Sequence, residues 1–269
     1  MPDGRFHSRA SLAADLWSLG LQAGDTVMVH AAMSRFGPLL NGPDAFIGAL
    51  LDVLGPTGTL VAYTDWDGAY EPLLDADGCL PERWRPHVPP FDPATSRAIR
   101  DNGILAEFIR TTPGARRSGN PGASVAAIGA LSAWIVADHP LDYGYGDGSP
   151  LAKLVAAGGR VLMAGAPWET MTLLHHAEHL ARIPGKRIRR YEAPLAGADG
   201  TLWRMIEEYE TGDPVVPGLP DDYFDAVVRD FVAAGNGAEG NIAQAPALLV
   251  EAAPICAFAM SWLEMRCGP

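Results

Sequence analysis

The chain has few cysteines. Cys79, Cys256 and Cys267 show no C-x-x-C spacing of a zinc or redox site, and three is the wrong parity for a disulfide framework. They are read as reduced thiols in a cytoplasmic protein. No GxGxxG occurs, and the glycines of residues 144–148 have the wrong spacing for a dinucleotide fingerprint. GxxxxGK[ST] is missing too, so a nucleotide P-loop is unsupported. The absence of GxSxG weakens a serine-hydrolase reading. No internal repeat, low-complexity tract or break in composition marks a linker. The most apolar stretch, residues 245–263, is interrupted by Pro246, Glu251 and Pro254, so it reads as a buried element followed by a core helix rather than a membrane span. Residues 1–17 carry Asp3, Arg5, His7, Arg9 and Asp15 with no apolar run behind them, and no signal peptide is expected.

Positive charge is also scarce. Twenty Lys and Arg face 32 Asp and Glu, for a net charge of −12. Such a surface repels phosphate backbones and anionic membranes and attracts a polycation. The expected partner is a small cationic molecule, with no nucleic acid and no membrane; a homodimer is allowed for. Hydrophobic residues make up 48% of the 269 positions, enough for a sizeable core in one α/β unit.

Local patterns place the elements. Ser8 caps a helix with Leu12, Leu16 and Leu19 on one face, stopped by Gly20. TVMVHA (26–31) reads as a strand, residues 43–54 as a helix with Phe46, Leu50 and Val53, and GTLVAY (58–63) as a second strand. Strand–helix–strand argues a parallel pair. A long irregular segment, about 64–90, is rich in Asp, Glu, Pro and aromatics and is expected to be an ordered binding loop. Further on come a helix (101–111), a strand (124–128), a short helix (131–137), a glycine-rich loop (139–150), an apolar strand (160–165) and a helix (170–181). Strands at 186–191 and 202–209 and helices at 221–234 and 255–265 complete the reading. The expected fold is a single α/β domain over residues 1–269, with a central mixed, partly parallel sheet flanked by helices.

The densest catalytic cluster is TLLHHAEH (172–179). On a helix His175, Glu178 and His179 share a face, while His176 points elsewhere. The helix follows an apolar strand, and ligands in α/β sheets bind beyond the strands' carboxyl ends. Two chemistries fit. His175 could be a general base for an amine, since imidazole titrates near ~6.5, with Glu178 or Glu169 orienting the ring. Alternatively, His175, Glu178 and His179 match the H-x-x-E-H zinc motif, with Glu251 as a downstream ligand. A solvated helix face around one core histidine is the plain alternative.

The chain resembles the aminoglycoside 3-N-acetyltransferases in segments found in the same order: GDTVMVH (24–30), GPDA (42–45), LGPTGTL (54–60), FDPA (91–94), RSGNP (117–121), HPLDYG (139–144), GSPL (148–151) and TLLHHAE (172–178). DNG (101–103), GAP (165–167), TLLHHAEHLARIP (172–184) and WRMIEE (203–208) are similar to the branch acting on gentamicin and apramycin. The resemblance implies a fold distinct from the common N-acetyltransferase superfamily. It also implies metal-free transfer from acetyl-coenzyme A to the 3-amine of 2-deoxystreptamine, a resistance activity. By resemblance His175 is the catalytic histidine, Glu178 its carboxylate neighbour, and Thr172 a hydroxyl at the helix head. Coenzyme A would lie along His30, Ala32, Met33, Ser34, Arg35 and Phe36, with Ser118, Gly119 and Asn120 adding contacts. Many members carry His-Asp-Asn-Asn-Thr where this chain has Trp168 to Thr172, so Glu169 stands in for an aspartate. Antibiotic ammonium groups need carboxylates. Asp65, Asp67 and Glu71 in the long loop, with Tyr70 beside them, and Glu207 and Glu208 near a strand end are the expected lining. A zinc peptidase, a non-catalytic binder of cationic sugars, and a same-fold enzyme for another amine are the competing readings.

Overall fold

A computed structural model describes residues 6–66 and 68–268. Asp67 therefore lies outside the described residues. Strand β1 (Thr26–Ala31) is central, and β2 (Thr59–Tyr63) and β5 (Arg160–Ala164) run parallel to it on either side. The sheet is completed by antiparallel β3 (Arg116–Arg117), β4 (Val125–Gly129), β8 (Ala238–Ile242) and β9 (Ala245–Glu251), in the order β3-β4-β2-β1-β5-β9-β8. This is the mixed, partly parallel sheet expected.

Alternation along β1 explains the layers. Val27 and Val29 face α1 (Arg9–Leu19), α2 (Gly42–Leu54) and α3 (Ile104–Thr111), in a core with Leu12, Phe46 and Ile109. Met28 faces the opposite core, with Leu154 of α5 (Pro150–Ala156), Leu174 of α6 (Leu173–Leu180), Phe224 of α7 (Tyr223–Ala233) and Trp262 of α8 (Ala252–Cys267). Short helix α4 (Ser132–Val136) packs on β4. The period of two sends successive side chains to opposite faces, so one strand serves both layers.

Local signals mark the boundaries well. Ser8 accepts from the Ser11 N–H at the start of α1, and Gly20 ends it at φ 104°, a left-handed conformation that suits glycine. Helix α6 is shorter than expected: residues 168–170 form a 3-10 turn and α6 begins at Leu173. Similarly, residues 100–102 form a 3-10 turn before α3. The strand expected at 186–191 extends as β6 (Ile188–Gly197), paired antiparallel with β7 (Gly200–Tyr209) as a separate two-stranded hairpin. Helix α5 and strands β3 and β8 are additions to the sequence reading. Pro254, expected only to break the apolar run, sits in the first turn of α8, where its missing N–H costs no helical bond.

The loop between β2 and α3 is clamped on the hairpin. Glu192 of β6 accepts from the Leu80 N–H at 2.9 Å and from the Arg85 guanidinium at 2.8 Å. The Tyr70 hydroxyl donates to the Glu192 carbonyl at 2.9 Å. Phe91 bridges to Leu195. Among the described residues no helix is long and apolar enough to cross a membrane.

Candidate active site

The carboxyl ends of β1, β2 and β5 point the same way, and two clefts open beyond them. The larger, about 720 Å³, is lined by Tyr63, Asp65, Trp66, Glu71, Tyr145, His175, Arg189, Tyr191, Glu208 and Tyr209, among others. The smaller, about 190 Å³, is lined by His30, Ala31, Ala32, Asn102, Pro167 and Thr172, among others. Tyr63, the last residue of β2, lines both.

Helix α6 brings His175 to the larger cavity. Its Nδ1 lies 2.6 Å from Glu178 Oε2, one turn along the helix, and the Glu178 side chain is only 3% exposed. An ionised carboxylate only accepts, so Nδ1 is the donor, and in the neutral ring this leaves the lone pair on Nε2. Glu169 does not meet this ring: it is exposed on the 3-10 turn and lines a separate cleft with Arg35, Trp168 and Asp225. The His176 ring turns away and donates from Nδ1 to the Tyr145 carbonyl at 2.8 Å. His179 reaches Glu208, with Nε2 at 2.9 Å from Oε1. The ring N–H is not aligned with that oxygen, so Nε2 stays among the buried atoms without a hydrogen bond. His175 rests against the rings of Tyr145 (5.0 Å) and Phe224 (4.9 Å).

Beside this pair is a tyrosine network that the sequence reading missed. The Tyr145 hydroxyl donates to the Gly122 carbonyl at 2.8 Å and lies 2.6 Å from the Tyr63 hydroxyl. Asp65, two residues past Tyr63, takes a left-handed backbone at φ 47° and accepts from the Trp66 N–H at 2.7 Å. Burial pushes its carboxyl up to about 7, against the Trp66 N–H and Tyr63 hydroxyl, which favour the ionised form. The place of Tyr63 at a strand's carboxyl end was the available signal.

The remaining acidic residues separate. Glu71 and Glu208 line the cavity. Glu71 is paired with Arg189. Glu207 lines neither cleft and accepts from Arg190 Nε at 2.6 Å and from the Tyr143 hydroxyl. Tyr70 is buried beneath the loop.

Of the residues that the resemblance assigns to the coenzyme, His30 and Ala32 line the smaller cleft. Met33, Ser34 and Arg35 form a 3-10 turn just beyond it. Phe36 is fully buried against Phe46, ring centroids 4.8 Å apart. Ser118 is buried, donating to His139 Nδ1 (2.9 Å) while accepting from the Val125 N–H (3.0 Å). His139 Nε2 donates to the Gly144 carbonyl at 2.7 Å, and burial pushes the ring down to about 4, so it is neutral at pH 7. Asn120 lines the larger cavity, and its amide also ties Pro140 and Leu141 to Gly122. Gly119, between these two, lines neither cleft.

The smaller cleft contains two unpaired polar side chains. His30 Nε2 and Asn102 Nδ2 are buried without hydrogen-bond partners, and both residues line it. Buried orphan polar atoms are costly and point to a polar ligand group. Burial also pushes His30 down to about 4, so it is neutral at pH 7. Among the described residues no three His, Cys, Asp or Glu side chains gather as a metal-binding group, and Glu251 caps α8 at the far end of β9.

The profile of the Aminoglycoside 3-N-acetyltransferase family matches residues 28–264. The chain is 44% identical over 263 residues to an aminoglycoside N(3)-acetyltransferase III of Pseudomonas aeruginosa, covering 97% of this chain and 95% of that one. A solved structure described as AAC-IIIb binary with CoASH superposes with a TM-score of 0.97 at 64% identity, over 98% of each chain. Another, AAC-VIa bound to sisomicin, gives 0.93 at 36% identity over 98% and 99%. The chain belongs to the aminoglycoside 3-N-acetyltransferase family.

Proposed function

We propose that the protein transfers the acetyl group of acetyl-coenzyme A to the 3-amine of the 2-deoxystreptamine ring of aminoglycosides, gentamicin and apramycin first among them. The observation that carries this is the His175–Glu178 pair, held at 2.6 Å on the wall of a cavity lined by Asp65, Glu71 and Glu208. The coenzyme, when bound, supplies an acyl thioester.

The larger cavity takes the antibiotic and the smaller cleft the coenzyme arm, meeting at Tyr63. Carboxylates hold the ammonium groups, and Trp66, Tyr191 and Tyr209 offer faces to the sugars. His175 Nε2 accepts the proton that the neutral amine loses as its nitrogen bonds to the acyl carbon; the carbon–sulfur bond then breaks, and the same proton returns to the departing thiolate, leaving free thiol and the amide. Glu178 orients the ring and stabilises the imidazolium formed. Thr172, at the head of α6, lines the coenzyme cleft, and its hydroxyl or backbone N–H supplies a donor to the acyl oxygen as negative charge develops there. His30 and Asn102 offer their orphan nitrogens to the amides of the coenzyme arm.

The test is thiol release from acetyl-coenzyme A with and without gentamicin, for the wild type and His175→Ala, with the acetylated amine located by NMR. Gentamicin-dependent release that collapses in the variant is expected, with product at the 3-amine. Release that is independent of antibiotic, or intact in His175→Ala, would overturn the assignment.

A further inference from the structure

A site for a polycation should not contain a cation, yet this one does. Among the described residues lining the larger cavity, Arg189 is the one Lys or Arg. Its guanidinium forms an ion pair with Glu71, joining the long loop to β6. The two side chains remain 37% and 31% exposed. Arg189 also lies over the Tyr191 ring, Cζ 4.8 Å from the centroid. One of the three described cavity carboxylates is thus already neutralised from within.

We propose that Arg189 is a specificity-determining residue that competes with the substrate, occupying the Glu71 carboxylate which an antibiotic ammonium would otherwise take. The inference rests on the larger cavity being the antibiotic site. The loop does not depend on this ion pair for anchorage, because Leu80, Arg85 and Tyr70 already fasten it to Glu192. A part-exposed pair contributes little to stability, so exchanging its cation is cheap. The Tyr191 face gives the released guanidinium a second resting place. An acceptor whose ammonium reaches Glu71 must displace Arg189, whereas one lacking a cation there meets no competitor. That is selection through a repulsive element as well as an attractive one.

The test measures the gentamicin KM in Arg189→Gln, Arg189→Lys, Glu71→Gln and the double variant Arg189→Gln/Glu71→Gln, with thermal melting of each. Removing the competitor should lower KM by about threefold to fivefold, the range set by a pair contributing up to ~1 kcal/mol. Arg189→Lys should stay near the wild type, and Glu71→Gln should raise KM. In the Glu71→Gln background, adding Arg189→Gln should leave KM unchanged. A higher or unaltered KM in Arg189→Gln, or a variant that does not fold, would make Arg189 an anchor and overturn the proposal. An equal fall in KM in both backgrounds would replace competition with a general charge effect. A wild type that turns over no aminoglycoside would remove the reading of the cavity, and the inference with it.

Discussion

Replacing Glu178 with Gln isolates one atom's charge. The side chain is 3% exposed and its Oε2 lies 2.6 Å from His175 Nδ1, so the bond is charge-assisted and little screened by salt. Hydrogen bonds to charged groups contribute about 1.5–3 kcal/mol. The bond matters most when the ring becomes imidazolium, so its loss falls on the chemical step. An isosteric amide can also turn its NH2 toward Nδ1. The ring proton then moves to Nε2, and the acceptor for the amine's proton is gone. The expected fall in kcat is about 100-fold, equivalent to about 2.7 kcal/mol of barrier. Glu178 does not line the cavity, so the gentamicin KM should change by less than about threefold. The assay is steady-state thiol release, with melting curves confirming that the variant is folded. A loss in kcat below about fivefold, or an effect carried mainly by KM, would refute the role of Glu178 as the partner that charges with the ring.

Three further outcomes follow from the packing and electrostatics. With its carboxyl pushed up to about 7, Asp65 is neutral in the free protein below that pH, so gentamicin KM should rise as pH falls through about 7 and should lose that dependence in Asp65→Asn. The stability sign runs the other way: the unfolded chain ionises near ~3.9, so native stability falls as pH climbs from ~3.9 to about 7, and Asp65→Asn should melt higher than the wild type at pH 8. A KM that is flat in the wild type would contradict both statements. Phe36→Ala removes a fully buried ring against Phe46 and should cost ~3–5 kcal/mol, roughly 10 °C in Tm; an unaltered Tm with a raised coenzyme KM would return Phe36 to the ligand.

Much of the architecture was legible because its causes are local. The Ser8 cap, the Gly20 stop and the apolar run of TVMVHA each act within a few residues, and the observed ends follow them. Helix α5 follows a glycine-rich loop and spans only seven residues, too few for a clear helical period. Strand β8 (AEGNI) is an edge strand with little apolar alternation, held in place by pairing with β9. The pairing of β6 with β7 continues past residue 191, the expected strand end, and runs across Pro194 opposite Trp203.

The site divides along the same line. His175 and Glu178 could be joined from the sequence, because three residues on a helix bring side chains together regardless of what lies around them. That Glu178 and not Glu169 meets the ring was visible only in the structure, where residues 168–170 form a separate 3-10 turn before α6 begins at Leu173. The meeting of Asp65, Glu71, Arg189 and Glu208 around one cavity had no local cause. They come from the end of β2, a loop clamped on Glu192 and a hairpin outside the main sheet. A charge in a sequence carries no record of its burial or its partner. Folding alone determined that Asp65 is buried enough to hold its proton near neutrality and that Arg189 meets Glu71 on the wall of the same cavity.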